Sequence, residues 1–319
     1  MLRALVPATS ANLGPGFDAL GLAIDLRLSV TAERAELDEF IYRHVTTARS
    51  GVGTGVAPSL TAGVEPGGEA SAAPDAEDNL VHAGFKAVCA EVGVEPPSVR
   101  LIVDNPIPLA RGLGSSSAAL VAGAALADTW LGGPIGRDGV FRITAAMEGH
   151  PDNVGPAVYG GFTVAAPDEH GTFVAATLPV PETWSLLFGV PAFELLTTEA
   201  RAALPQHYTA ADTVLTSARA ALWVAAVTLD APHLLRAAST DVLHQPYREP
   251  LVPGLRRAVE DLRTSGAYAA FLSGAGPTLG AVVSQDLVGV CADIMRTFVG
   301  PTGMVLQPRA ATGYVVERW

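Results

Sequence analysis

The segment Pro108-Leu109-Ala110-Arg111-Gly112-Leu113-Gly114-Ser115-Ser116-Ser117-Ala118 constrains this chain more than any other. It follows Arg100-Leu101-Ile102-Val103, an aliphatic run that reads as a strand. It leads directly into a small-residue apolar stretch, Ser115 to about Trp130, that reads as a closely packed helix. Glycines let the backbone turn sharply and approach a ligand. The first amides of a helix lack intrahelical acceptors and sit at the positive end of its dipole. A strand, a glycine loop and a helix start in this order therefore make an anion site from backbone alone. The three serines add hydroxyls suited to phosphate oxygens or a hard cation. A flexible Gly/Ser connector has the same composition, but a connector does not open an apolar helix.

The basic residues narrow how such a site can work. Of the 20 Lys+Arg residues all but Lys86 are arginine, against 32 Asp+Glu, for a formal net charge of −12 over 319 residues. A Walker-type phosphate loop needs Gly-Lys-Ser/Thr, and a protein kinase needs a strand lysine with its own signatures. Lys86, in Gly84-Phe85-Lys86-Ala87, fits neither. Phosphate is expected to meet amides, hydroxyls, arginines and a metal instead. The acidic balance argues against nucleic acid or an anionic membrane as a partner. No stretch approaches the roughly eighteen uninterrupted apolar residues of a membrane span. Cys89 and Cys291 stand far apart without metal spacing, and no cationic, apolar leader opens the chain. A reduced, cytoplasmic, soluble protein is expected. The length and 49% hydrophobic content suit one large or two medium domains.

Along the chain, Leu2–Val6 reads as a short strand running into a loop from Pro7, and Ala19–Glu33 as a long strand. Residues 46–78, rich in Gly, Ala, Pro and Ser, read as a flexible loop, and a helix is expected from about Glu77 to Val92 with Asp75 as its cap. A helix over Asp138–Glu148 precedes short strands at 161–166, 171–178 and 184–190. Helices then dominate to about residue 265, the longest at 209–229, before strands at 268–272 and 278–283, a helix at 286–298 and two last strands. This pattern predicts an α+β fold with a domain change near 155–165.

Two further glycine-rich loops flank the central one. The first is Pro7-Ala8-Thr9-Ser10-Ala11-Asn12-Leu13-Gly14-Pro15-Gly16-Phe17-Asp18, and the second is Ser273-Gly274-Ala275-Gly276-Pro277-Thr278. Either alone is commonplace in a hairpin. In this order, across nearly the whole chain, the three resemble the GHMP kinase superfamily. The resemblance implies a two-domain α+β fold. It has an N-terminal ATP domain of the ribosomal-protein-S5-domain-2-like kind over 1–160 and a C-terminal ferredoxin-like α/β domain over 161–319. It also implies ATP and Mg²⁺ as cofactors and a homodimer.

Glu148-Gly149-His150-Pro151-Asp152-Asn153, Leu196-Thr197-Thr198-Glu199-Ala200-Arg201 and Asp241-Val242-Leu243-His244-Gln245-Pro246-Tyr247-Arg248 are similar to segments of the homoserine kinase family. By that resemblance the small-molecule substrate is L-homoserine, phosphorylated on its hydroxyl. Arg201 and Arg248 clamp its carboxylate, a task that suits the planar guanidinium fork. Asp18 accepts from its ammonium, and Asn12, His150, Asn153 and Thr197 orient the rest. The loop from Pro108 through Leu109, Ala110, Arg111, Gly112, Leu113, Gly114, Ser115, Ser116 and Ser117 to Ala118 holds the phosphates, with Gly274 and Gly276 from the last loop and Asn79 near the adenine. Ser116 and Glu148 bind magnesium, although in some homoserine kinases several residues separate the glutamate from the histidine. Asn153 stands where mevalonate kinase and galactokinase carry an aspartate base, and asparagine cannot take a proton. The implied catalytic set is Asn153, Arg201 and Ser116, without a side-chain base. Two alternatives share these loops: another small-molecule kinase of the superfamily, of mevalonate or shikimate type, and an inactive nucleotide-binding regulator.

Overall fold

In the computed structural model residues 1–45 and 79–319 are described. The chain opens with two long antiparallel strands, β1 (Leu2–Asn12) and β2 (Gly16–Arg34). The loop expected from Pro7 is therefore mostly strand, with pairing through Ala11↔Gly21 and, after a register shift, Asn12↔Gly16. Pro7 is tolerated because the register shifts between Pro7 and Ala8, where its missing N–H falls at an irregularity in the ladder. Next come β3 (Glu39–His44), α1 (Leu80–Glu91) and β4 (Val99–Asn105), with β3 parallel to β4. The cap of α1 is Asn79, whose Oδ1 accepts from the amides of Val81 and His82. The cap expected from the sequence, Asp75, and the whole 46–78 stretch lie outside the described residues.

The helix α2 (Ser115–Trp130) is buried on nearly every side, which accounts for its small residues. It lies so close to α1 that a Cβ on Gly123 would stand 1.8 Å from the Val81 carbonyl oxygen, and one on Gly84 2.2 Å from that of Leu120. Two further helices, α3 (Gly136–Glu148) and α4 (Val154–Tyr159), lead into the hairpin β5 (Phe162–Pro167) and β6 (Phe173–Leu178).

A second, antiparallel sheet is built from β7 (Ser185–Val190) and later strands. Between them lie α5 (Thr197–Ala202), α6 (Ala210–Leu229), α7 (Leu235–Ala238), α8 (Gln245–Arg248) and α9 (Leu255–Thr264). Then follow β8 (Ala269–Leu272), β9 (Leu279–Val283), α10 (Val288–Val299) and β10 (Met304–Leu306), giving the strand order β10-β7-β9-β8. Strand periodicity sends Leu186, Phe188 and Val190 into the core shared with the first sheet, and Leu187 into a second core with α9 and α10. Ala269 and Phe271 against Ala270 and Leu272 divide in the same way. One helix among the described residues, α6, is long and apolar enough to cross a membrane by composition, but it packs Trp223, Ala226 and Val227 into the protein.

The last strand, β11 (Val315–Arg318), returns to pair with Leu2–Leu5 of β1. The first sheet reads β11-β1-β2-β4-β3, with β5 and β6 branching from β2. At 19 residues β2 is long enough to hold β4 along Ser29–Arg34 and β5 along Leu20–Leu22. β5, β6 and β11, which follow residue 160, all add to the first sheet.

Candidate active site

The three glycine-bearing segments meet at the start of α2. Gly114, its N-cap, has φ 67° and offers no side chain to the helix start. The first intrahelical bond runs from Ala118 N to the Gly114 carbonyl, and no backbone acceptor among the described residues takes the amides of Ser115, Ser116 or Ser117. A Cβ on Gly114 would lie 1.9 Å from Thr9 Oγ1, so the first and second loops touch through this glycine. Thr9 also donates its hydroxyl to Asn153 Oδ1 at 2.8 Å, and its amide to the Leu113 carbonyl.

The third loop is tied to both others. Ser273 Oγ donates to the Gly112 carbonyl at 2.6 Å and lies 2.7 Å from Ser10 Oγ. Thr278 Oγ1 donates to the Arg111 carbonyl, and Asn12 Nδ2 to the Gly274 carbonyl. The Arg111 guanidinium ties the carbonyl of Leu109, within the loop, to those of Pro191 and Ala192 beyond it. Its side chain is a strut for the loop, while its carbonyl belongs to the lock.

Beside the helix start, Ser116 Oγ and Ser117 Oγ both donate to Glu148 Oε1, each at 2.9 Å. Three oxygen donors gathered at one point match what a hard divalent cation takes. Asn79 stands at the N-terminus of α1 with its side-chain nitrogen buried and unpartnered among the described residues.

A charged cluster is joined to the third loop through the Gly274 carbonyl, which accepts from Arg248 Nη1. Arg201, at the end of α5, makes a two-pronged pair with Asp18 at 3.1 and 2.8 Å. Arg248, 2% exposed, lies with Arg201 over the Phe17 ring, at 5.3 and 5.4 Å from its centroid. Asp152, also buried, accepts from the Asn153 amide and holds His150 Nδ1 at 2.6 Å. Ligand atoms of Asp18, His150 and Asp152 lie within 4.8 Å of one another.

The field of this cluster sets its protonation. The hydrogen bond and charge of Asp18 outweigh burial and raise Arg201 further above its ordinary value. Burial, then the charge of Arg201, pushes Arg248 down to about 10, which leaves it cationic at neutral pH. Burial acts to lower His150, but the hydrogen bond and charge of Asp152, helped by Asp18 and Glu148, raise it overall.

Most residues singled out from the sequence are brought to this one region. Thr197 is exposed at the start of α5, one turn from Arg201 and on its side of the helix. Asn12 has both polar atoms engaged within the protein, since its Oδ1 accepts from the Asp18 amide. Ala118 and Leu113 are buried in the core and present no side chain to the site. Gly276 lies in the lock between the loops, its amide donating to the Ser273 carbonyl. Sequence reading passed over Thr9, Ser10, Phe17, Ser273 and Thr278 as individuals. All five stand inside the quoted loops, but only their partners, more than a hundred residues away for Thr9, reveal what they do.

Residues 79–161 match the model for the GHMP kinases N terminal domain, and 226–299 that for the GHMP kinases C terminal domain. The chain is 44% identical over 312 residues to a homoserine kinase of Thermus thermophilus, covering 98% of this chain and 97% of that one. To the homoserine kinase of Deinococcus radiodurans it is 41% identical, with 98% and 95% covered. A solved structure described as a putative homoserine kinase from Listeria monocytogenes superposes with a TM-score of 0.74 at 29% identity, covering 100% of both chains. That of the Cytophaga hutchinsonii homoserine kinase shares the fold at a TM-score of 0.81 and 24% identity, over 99% of this chain and 97% of that one. With both its domains and near full-length relatives accounted for, the chain is a small-molecule kinase and belongs to the homoserine kinase family of the GHMP kinases.

Proposed function

We propose that this kinase transfers the γ-phosphoryl group of ATP to the side-chain hydroxyl of L-homoserine. The observation that carries the reading is the pairing of Arg201 with Asp18 beside a second buried arginine, Arg248, whose Nη1 donates to the Gly274 carbonyl of the third loop. An α-amino acid is a zwitterion. Its carboxylate replaces Asp18 on Arg201 and adds Arg248, while its ammonium takes the released Asp18 carboxylate. One internal ion pair is thereby exchanged for three with the substrate, and a neutral or purely anionic alcohol gains no such exchange. His150, Asn153 and Thr197 orient the remainder, and Asn12 holds the Asp18 backbone rather than the substrate.

The amides between Gly112 and Ser117 take the nucleotide phosphates, and Asn79 lies toward the adenine. Ser116, Glu148 and the neighbouring Ser117 are the residues that would hold Mg²⁺, which when bound neutralises phosphate charge. No side chain acts as a general base. Asn153 is an amide already bonded to Thr9, and Asp152 is occupied with His150 and the Asn153 amide. The substrate oxygen forms its bond to the γ-phosphorus as the bond to the β,γ-bridging oxygen breaks. The hydroxyl proton passes to the transferred phosphate, and ADP leaves. Catalysis is then positioning and charge stabilisation.

The test is ADP release with homoserine, threonine, serine, mevalonate, shikimate and galactose. Saturable turnover with mevalonate or shikimate but not homoserine overturns the assignment. An Asp152→Asn variant that keeps its affinities but loses most of kcat, together with one limb of the pH–rate profile, overturns the mechanism without a base.

The same reading makes the enzyme a cytoplasmic homodimer without nucleic-acid or membrane partners. Both cysteines are buried free thiols, and α6 exposes Val214 and Leu229 at 69% and 70%. Light scattering behind size exclusion checks the dimer; a monomer mass at micromolar concentration refutes it.

A further inference from the structure

His244 takes part in no step of the proposed reaction, yet it stands directly behind the guanidinium assigned to the substrate carboxylate. It is fully buried and sits one helical turn before Arg248. Its Nε2 lies 2.8 Å from the Gly14 carbonyl oxygen and 3.4 Å from Asp241 Oδ2, and both are acceptors. The hydrogen-bond pattern therefore places the proton on Nε2 and leaves Nδ1 as an acceptor. Arg248 Nη1 donates to that Nδ1 at 3.2 Å.

The ring is held independently of Arg248. Asp241 accepts from the amides of Leu243, His244 and Gln245 at 2.8, 2.8 and 2.6 Å, and Phe17 lies 5.3 Å from the imidazole. The other acceptors of Arg248 are the carbonyls of Ala200 and Gly274. Among the described residues no carboxylate bonds to Arg248, and its Nη2 has no acceptor. Among the described residues His244 is the one side chain that bonds to Arg248. It contributes a neutral acceptor where an aspartate or glutamate would neutralise the arginine.

We propose that His244 is a positioning residue. As a neutral imidazole hung on the Gly14 carbonyl, it orients Arg248 so that Nη2 meets the carboxylate of an α-amino acid substrate with no protein carboxylate in competition. This rests on the reading of the site as that of an amino-acid alcohol kinase. It adds a link from the first loop, through Gly14, to the specificity of the site.

The test pairs two variants with two alcohols. His244→Asn places an amide oxygen near the position of Nδ1. His244→Gln reaches toward the Gly14 carbonyl and lacks that acceptor. The alcohols are L-homoserine and 3-aminopropan-1-ol, the same molecule without its carboxylate. Loss of the acceptor is expected to raise the homoserine KM of His244→Gln by roughly tenfold, with kcat and the ATP KM within about threefold of wild type. The KM for 3-aminopropan-1-ol stays where it was, and His244→Asn recovers most of the homoserine loss. If His244→Gln does not fold, His244→Ala with added imidazole makes the same comparison, and imidazole then lowers the homoserine KM.

An equal rise for both alcohols overturns the proposal. So does a folded His244→Gln variant with wild-type homoserine KM, or a His244→Asn variant no better than His244→Gln at the same melting temperature. If wild type itself does not distinguish the two alcohols by KM, the carboxylate clamp falls and the role of His244 falls with it. If wild type distinguishes them and His244→Gln is silent, only the role of His244 falls.

Discussion

At the scale of single residues, the site depends on charges that satisfy one another before a ligand arrives. Arg201 and Asp18 stand 183 positions apart in sequence and meet in a two-pronged pair. Arg201→Ala is expected to lower kcat/KM for homoserine by on the order of a hundredfold, because a charge-assisted pair is lost and Asp18 is left uncompensated. Steady-state kinetics check this, and a change below threefold contradicts the clamp. His244 also makes a prediction about pH. Burial first, then the nearby Arg248, lowers its pKa below the ordinary 6.5, against the opposing pull of Asp241. Below pH 6.5 the unfolded chain takes up a proton that the folded chain refuses, so this histidine's contribution to stability is lost as pH falls from 6.5. The stability of wild type relative to His244→Asn should therefore be flat above that value and decline below it. Denaturant melts across pH 5–8 measure the difference, and a decline on the alkaline side instead contradicts the assignment. The residue types of this cluster were legible in sequence, because arginines and carboxylates stand in recognisable segments. That Arg201 rests on Asp18, and that Arg248 avoids carboxylates, was not, since neither pairing is local.

At the scale of elements, the start of α2 works because the helix behind it is fixed. The approach of α1 and α2 leaves no room for a methyl group at Gly123, whose Cβ would meet the Val81 carbonyl at 1.8 Å. Gly123→Ala is expected to destabilise the fold by about 1–3 kcal/mol or more, through overpacking against backbone that cannot move aside. A urea melt checks it, and a neutral result means that α1 can shift outward freely. Helix α2 itself was legible to the residue, Ser115 to Trp130, because a glycine turn and an unbroken small apolar run leave little choice. β1 was harder to read. Turn-forming residues from Pro7 to Asn12 argued for a loop, and pairing with β2 overrode them. β3 gave little alternation to read, and it forms against β4 in parallel.

At the scale of the whole molecule, the composition, with Lys86 as the one lysine, bears on the proposed phosphate grip. Lys86 is exposed on α1. Lys86→Met is expected to keep kcat and both KM values within twofold of wild type, and complete loss of turnover would mean that the phosphate grip has been misassigned. Three features could be read from sequence alone: the glycine-rich loops, the helix the central one opens, and the family to which the chain belongs. Each rests on short-range chemistry, on glycines where the backbone must turn and on hydroxyls and carboxylates within a few residues of one another. The tertiary structure decided what lies between them. It placed β5, β6 and β11 in the first sheet, locked Ser273 onto Gly112 and Ser10, and set His244 behind Arg248. These choices depend on which distant surfaces bury each other, and local preference is silent about partners far away along the chain.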